Sequence, residues 1–444
     1  MAEEETELEK VEKMVYSFFC ESSDFNGIRL RNISEKLRLE YEHSIELVKE
    51  LIRADVLTIQ SSTNPHIIGF THHAIALQLD ILEHAKNTTV SKQKIRNIEL
   101  VVEQTEYPIC VYPTKRLLKN KRDVSEYGYG KYQVELALGE PQLSFRFFET
   151  DVLERYASDP RFDFKFHDFS GSISCKYDDL GNAILREEDQ IFLNSFGLGF
   201  DSKSNRTVAV LLRDLGKLSP EHQVFWGNKE IPADECKVLA DYYDNLINGS
   251  WISSRSVFSA LIDEINAIYK LTAAIFGVSI FREELVGDKR PRNFTFFFSP
   301  TSKNYYDFIN LLDKYISENI NKAFFKNKIN LEELIPLDLN RYERVQKNTI
   351  RILEEWLSKF FNYTDVNTPK EIVKPFKKIR KERQNPAHNI IDNQYDPTYV
   401  KKQKEIMEEC YLSMGSIRRN IETHPKAKSV ELPKWMGSEN VKYF

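Results

Sequence analysis

The sequence predicts a multidomain α+β protein with a small mixed unit at the N-terminus, a mainly β middle part and an all-α C-terminal part. Its 444 residues are enough for two or three domains. Hydrophobic residues make up 41% and charged residues 29%, which excludes a disordered or low-complexity chain because there is ample apolar surface to bury. The spacing of the apolar residues changes along the chain between the helical period of about 3.6 and the strand period of 2, and these changes distinguish the three parts.

Residues 1–92 form the first predicted domain. Apolar positions predict three helices and then two short strands, around Val11–Phe18, Ile33–Leu37, Glu40–Ala54, Val56–Gln60 and Ile67–Phe70. Three helices followed by a β-ribbon resemble a winged helix, whose third helix would enter the major groove of DNA. Here that helix is acidic, with Glu42, Glu46 and Glu50, and would repel phosphate. A winged helix that binds a protein partner is therefore favoured over a DNA reader.

Residues 97–230 form the predicted α+β middle domain. Alternating apolar residues predict strands at Tyr132–Leu136, Leu143–Phe147, Phe162–Phe166 and Ser170–Ser174. The continuous apolar run Val208–Leu212 predicts a strand buried on both faces. Ser219 followed by Pro220 predicts the start of a helix.

The chain is strongly helical from residue 233 onward. We expect a helical connector over residues 231–300 and a helical bundle over residues 301–444. The candidate helices are Ala233–Leu246, Ser253–Ala274, Lys303–Phe324, Asn340–Phe361, Lys370–Gln384 and Pro397–Ile421.

Composition also limits the location and the partners. The net charge of −5 and the pI near 6.1 exclude a general nucleic-acid-binding protein, so any nucleic-acid site must be local. Five widely spaced cysteines without a CxxC pair are typical of buried thiols in a reducing compartment. No apolar run is long enough to span a bilayer, and we expect a cytoplasmic protein with no membrane partner.

Histidine spacing does not predict a metal site. His66, His72 and His73 lie close together, but no cysteine or carboxylate accompanies them at ligand spacing, which favours exposed histidines of the wing. The sequence also lacks a P-loop and a G-x-S-x-G elbow. We therefore expect no metal and no cofactor.

The densest basic segment is Lys374–Arg383, where Glu382 is the only acid. It could follow a phosphate backbone. The alternative is a solvated helix end whose bases complement the helix dipole. The candidate RNA-binding residues are Lys377, Lys378, Arg380 and Lys381.

Arg383 ends this segment and stands five residues before His388, in the string Arg383-Gln384-Asn385-Pro386-Ala387-His388. This R-x4-H motif on a helical bundle resembles the HEPN superfamily, many members of which are endoribonucleases. Gln384 departs from the Asn, Asp or His that usually follows the arginine but keeps an amide. Asn393 and Tyr395-Asp396 extend the match, which covers at most residues 300–425.

R-x4-H occurs two more times. Arg38 and His43 lie in the acidic N-terminal segment, where RNA would be repelled. Arg419 and His424 lie in the predicted bundle, and Asn420 is the residue that the family prefers after the arginine, so Arg419, Asn420 and His424 form a second-choice site. The stronger basic surroundings favour Arg383, Gln384 and His388.

The spacing of Arg383 and His388 requires a break in the helix. On a straight helix the two side chains would point about 140° apart. Pro386 disfavours helix at Asn385, and the resulting turn can bring both side chains to one cleft. Arg380 should share a helix face with Arg383.

The resemblance implies a metal-independent cleavage of RNA through its own 2′-hydroxyl. His388 would move a proton, and Arg383 would stabilise charge on the phosphate. Two family domains pool their motifs, which implies a homodimer. The first hypothesis is an endoribonuclease, a defence or toxin effector controlled by the N-terminal and middle domains. The alternative is a non-catalytic HEPN-like and winged-helix protein with a binding or regulatory role.

Overall fold

The structure is a computed structural model, which describes residues 5–60, 73–87, 90–95, 98–103, 109–252, 254–287, 294–337, 341–384, 392–436 and 440–443. It is mixed α and β with a helical C-terminal region, which confirms the predicted α+β class. The predicted strand Ile67–Phe70, with His66 and His72, lies outside the described residues, as do Pro386 and His388.

The chain divides into two compact units. Unit 1 comprises Met1–Glu149, Arg161–Asp163 and Ser172–Val238. Unit 2 comprises Thr150–Pro160, Phe164–Gly171 and Leu239–Phe444. The four predicted segments (1–92, 97–230, 231–300 and 301–444) stay a prediction.

Unit 1 begins with three helices, as the apolar spacing predicts. Thr6 caps the first helix in a capping box with Glu9. The helices of this unit are α1 (Glu7–Glu21), α2 (Leu30–Leu37), α3 (Tyr41–Arg53), α4 (Ile75–Ala85), α5 (Lys115–Lys121), α6 (Lys131–Ala137), α8 (Leu212–Leu215) and α9 (Pro220–Gly227). Ser219 caps α9 through the backbone N–H of His222, as expected.

A three-stranded antiparallel sheet packs with α1, α2 and α3. Its order is β1 (Ile28–Arg29), β5 (Cys110–Pro113) and β2 (Leu57–Ile59), so the central strand comes last in the chain. A hairpin of β3 (Val90–Ile95) and β4 (Ile98–Glu103) precedes that strand. The shared core consists of Val11, Val15, Ile28, Ile33, Ile45, Val48, Ile52, Leu57, Ile59 and Val111.

A seven-stranded sheet follows. Along it the order is β11, β6, β10, β9, β8, β7, and β12 pairs with β9. The strands are β6 (Phe145–Glu149), β7 (Phe162–His167), β8 (Ser170–Cys175), β9 (Phe192–Asp201), β10 (Arg206–Leu211), β11 (Glu230–Ile231) and β12 (Cys236–Val238). Val208–Leu211 are fully buried, which confirms the predicted buried strand. The strand predicted at Tyr132–Leu136 is wrong, because these residues lie in α6 and bury Tyr132 and Leu136 one helical turn apart.

Unit 2 is built mainly from helices. These are α7 (Glu154–Ser158), α10 (Ala240–Leu246), α11 (Val257–Phe276), α12 (Ser302–Asp313), α13 (Lys322–Phe325), α14 (Thr349–Phe360), α15 (Thr368–Gln384) and α16 (Thr398–Glu422). The long helix α16 packs on α11, and α15 packs on α12, α14 and α16. Trp356 and Phe324 are buried where α14 meets α13, with their rings 5.2 Å apart and edge-on.

Three stretches differ from the predicted helices. The helix predicted over Lys303–Phe324 is divided into α12, a π-helical turn over Lys314–Glu318 and the separate α13. The segment predicted as one helix from Asn340 to Phe361 begins instead with β15 (Arg341–Gln346), which pairs with β14 (Glu332–Leu337). The helix predicted from Ala233 starts only at Ala240, after β12. Two short strands, β13 (Arg255–Ser256) and β16 (Val441–Lys442), pair in parallel. Across the described part of the chain, every helix is too short or too polar to cross a bilayer.

Candidate functional site

Arg383 lies in the last turn of α15, the helix that carries the basic segment. The apolar residues Ile372, Phe376 and Ile379 bury one side of α15, so the bases between them point away from that core. α15 ends at Gln384, whose side chain is exposed. Gln384 is also the last described residue before segment 385–391, so the break expected near Pro386 stays a prediction.

Two carboxylates hold the guanidinium of Arg383. Its Nη1 atom donates to Oδ2 of Asp313 over 2.6 Å and also pairs with Glu318. Nη2 of Arg380 donates to the same Oδ2 atom over 3.2 Å. Arg380 and Arg383 therefore share a helix face and one buried counter-ion, since the Asp313 side chain is 0% exposed.

The backbone next to Asp313 is unusual. Asp313 ends α12, and residues Lys314–Glu318 continue as one wide turn of π-helix, which delivers Glu318 to Arg383. Such turns are rare and frequently occur at functional sites. The Oδ1 atom of Asp313 and the hydroxyl of Ser317 are buried without a hydrogen-bond partner in the described structure.

The ion pairs position Arg383 without enclosing it. Hydrogen bonds to Asp313 and to Glu318 raise the pKa of the Arg383 guanidinium, so it stays charged. Both pairs use Nη1, which leaves Nε and Nη2 outside these two contacts. The side chain is 34% exposed. Arg383 can therefore present the N–H groups of two further nitrogens, Nε and Nη2, to a phosphate.

His388 lies outside the described residues, so its distance from Arg383 is not part of the described geometry. The residues that follow segment 385–391 are described. Asn393 Oδ1 accepts a hydrogen bond from the backbone N–H of Lys303 (3.0 Å), and the Ser302 hydroxyl accepts one from the N–H of Gln394 (2.9 Å). Asn393 and Gln394, which follow segment 385–391, are therefore hydrogen-bonded to the first turn of α12.

Most of the predicted RNA-binding bases are paired with acids. Lys377 pairs with Glu354, and Lys378 lies 3.2 Å from Glu409. Arg380 pairs with Asp313, as described above. Lys381 is exposed and has no acidic partner among the described residues. The positive charge counted along the sequence is thus largely neutralised in space by acids from α12, α14 and α16.

The three residues of the second-choice motif have structural contacts. Nη2 of Arg419 donates to the Ser416 hydroxyl over 3.2 Å, and the Asn420 amide donates to the Tyr363 hydroxyl over 3.1 Å. His424 caps the short helix that follows it, because its Nδ1 atom accepts the N–H of Lys426 (3.2 Å). These contacts explain the three residues by a role in stabilising the helical region.

The sequence reasoning missed Asp313 and Glu318. They lie 70 and 65 residues before Arg383 in a segment predicted only as a helix, and no local pattern marks them. A groove of about 720 Å³ also opens between α14 and α15, lined by Arg351, Lys359, Lys377 and Arg380 together with Glu354 and Glu355. Among the described residues, no group of three His, Cys, Asp or Glu side chains could hold a metal ion.

No protein-family model, curated protein or solved structure matches this chain.

Proposed function

We propose that unit 2 is a HEPN-type endoribonuclease that cleaves RNA without a metal ion. The observation that carries the proposal is the placement of Arg383: Asp313 and Glu318 hold its guanidinium in the last turn of α15, five residues before His388 in the sequence. A fixed, permanently charged donor is what a phosphoryl-transfer site requires, because it needs no reorganisation as charge develops.

The chemistry needs only RNA, Arg383 and His388. The 2′-oxygen of the substrate attacks the adjacent phosphorus, and the bond from phosphorus to the 5′-oxygen of the next nucleotide breaks. One histidine takes the proton of the 2′-hydroxyl, and a second group returns a proton to the leaving oxygen. The products are a 2′,3′-cyclic phosphate and a 5′-hydroxyl. A homodimer supplies the second histidine, so we propose a two-fold dimer.

We further propose that the N-terminal helices and the three-stranded sheet form a winged helix that binds a protein partner. The order β1-β5-β2, with the last strand in the centre, supports the winged-helix assignment. The exposed side of α3 carries Glu42 and Glu50, which would repel nucleic-acid phosphates, while Glu46 is paired with Lys49 and Lys86. We also propose that the protein is a cytoplasmic defence or toxin effector controlled by this module.

The test is cleavage of single-stranded RNA by purified full-length protein. His388→Ala and Arg383→Ala should each lower the cleavage rate by about 10²-fold or more, because each removes a group used in the transition state. EDTA should leave wild-type cleavage unchanged. His424→Ala and Arg419→Ala serve as matched controls from the second motif and should retain cleavage. Normal cleavage by His388→Ala would reject the proposal.

A non-catalytic role is the second candidate. The pairing of Lys377, Lys378 and Arg380 with acids favours it, because neutralised bases contribute weakly to phosphate binding and leave Arg383 and the exposed Lys381 as the main contacts to RNA. In that case wild-type protein would bind RNA or a protein without turnover. Arg383→Ala would then weaken binding in a gel-shift assay, and no cleavage product would form with either protein.

A further inference from the structure

Unit 1 contains a cavity of about 700 Å³ that plays no part in the proposed nuclease chemistry. The loop Ser22–Asn26 after α1 forms one wall, and residues of α6 and α8 form others. Gln142 fixes the loop, because its Nε2 atom donates to the backbone carbonyls of Asp24 (2.7 Å) and Phe25 (3.1 Å). The cavity is thus a formed part of the fold.

Asp214 on α8 lines this cavity and is only 6% exposed. Its carboxylate accepts no hydrogen bond from any residue that the structure describes. Nε of Arg213 is 3.6 Å from Oδ1, which is an ion-pair distance but too long for a hydrogen bond. Burial raises the pKa of Asp214. Arg213 and Lys217 attract this carboxylate but donate no hydrogen bond to it, so its oxygens remain able to accept from a ligand in the cavity.

The remaining charges of the cavity wall favour a positively charged ligand. Glu21, Asp24 and Glu126 also line the cavity. Asp24 and Glu126 each have a base within ion-pair distance, Lys217 at 3.4 Å and Arg122 at 3.8 Å. Four carboxylates and two bases, Arg213 and Lys217, line the cavity, so its wall carries a net negative charge that favours a cation over an anion.

We propose that this cavity binds a small organic cation whose ammonium or guanidinium group donates hydrogen bonds to the Asp214 carboxylate. The aromatic side chains of Phe25 and Tyr127 line the same cavity and offer apolar surface to the carbon chain of such a ligand. The site is independent of Arg383 and His388. It gives unit 1 a ligand-binding role of its own.

The test is isothermal titration of the full-length protein with agmatine, which carries an ammonium and a guanidinium group, and with inorganic phosphate as the anionic probe. Wild-type protein should bind agmatine and not phosphate. Asp214→Asn should weaken agmatine binding by at least about tenfold, because it removes the charge-assisted bond. Asp179→Asn, an exposed position outside the cavity, is the matched control and should bind like wild type.

Thermal unfolding without a probe gives a second readout. Asp214→Asn should raise the melting temperature, because burial disfavours the charge of Asp214 more strongly than Arg213 and Lys217 stabilise it. A purely structural carboxylate would show the opposite, a lower melting temperature. Absence of agmatine binding at millimolar concentration, equal binding by Asp214→Asn, or preferential binding of phosphate would each overturn the proposal.

Discussion

Asp313 is the residue on which the candidate site is organised. One oxygen of its buried carboxylate accepts from both Arg380 and Arg383, while the other oxygen has no described partner. Two guanidinium groups close together repel each other, and the shared carboxylate offsets that repulsion. The geometry of Arg383 therefore depends on a residue that would not itself touch a substrate.

The substitution Asp313→Asn tests this dependence. We expect it to destabilise the protein by about 3 kcal/mol, because it removes the buried charge and leaves two arginines without their common partner. Urea unfolding followed by circular dichroism measures the change. Glu318→Gln is the control: the Glu318 side chain is 41% exposed, and its loss should cost under about 1 kcal/mol. Equal effects of the two substitutions would contradict this account.

For individual residues, the sequence predicted the relation between Arg380 and Arg383 but not the acids that pair with the bases of α15. The three-residue spacing of Arg380 and Arg383 predicts a shared helix face, and both side chains reach Asp313. The acids that neutralise Lys377 and Lys378 could not be predicted, because Glu354 and Glu409 lie on other helices. Net charge counted along a segment does not include partners that only folding brings near.

A buried ion pair joins helices α16 and α11 in unit 2. Nε of Arg418 donates to Oε2 of Glu264 over 2.6 Å, and both side chains are buried. Burial raises the pKa of Glu264, although the hydrogen bond from Arg418 acts in the opposite direction. Such a pair fixes how two helices align, while its net contribution to stability is small.

Breaking this pair from one side should be costly. Arg418→Met leaves the Glu264 carboxylate buried and unpaired, and we expect a loss of about 3 kcal/mol in the free energy of unfolding. The double variant with Glu264→Leu should recover most of that loss, because both charges are then absent. Chemical denaturation of the single and double variants measures the coupling. Arg419→Met, at the exposed neighbouring position, should change stability by less than about 0.5 kcal/mol.

Elements were predictable where the apolar pattern was long and regular. Val208–Leu211 and the helix α16 agree with the sequence pattern, because each shows one period over its full length. The strand predicted at Tyr132–Leu136 failed, since five residues with apolar positions 132 and 136 fit a helix equally well. The hairpin β14–β15 was missed because Leu334 and Tyr342 are exposed and no buried face marks its strands.

For the whole molecule, the main feature is that unit 2 is discontinuous in sequence. Residues 150–160 and 164–171 belong to it, although they lie between segments of unit 1. Phe164 packs edge-on against Phe298 at 5.4 Å, and Phe166 packs against Phe296 at 5.2 Å. The Asp168 carboxylate accepts the N–H and the hydroxyl of Ser256 at the start of α11.

A fragment that starts at residue 239 should therefore be unstable. It lacks Phe164 and Phe166, whose burial contributes roughly 3–6 kcal/mol, as well as the Asp168 contacts. We expect residues 239–444 to unfold at lower urea concentration than a fragment comprising residues 150–444. Full-length Phe164→Ala/Phe166→Ala should show a comparable loss in unit 2. Equal stability of the two fragments would show that residues 150–171 contribute nothing.

The position of these phenylalanines also has a consequence for synthesis on the ribosome. Phe164 and Phe166 lie about 130 residues before their partners Phe296 and Phe298 in the sequence, so they leave the exit tunnel first. The ribosome adds about 5–20 residues per second. For roughly 6–26 seconds both rings lack the side chains that bury them. During that interval they are available to chaperones. Unit 2 cannot be complete while translation of its later helices continues, so a newly made chain stays without its assembled candidate site until those helices have emerged.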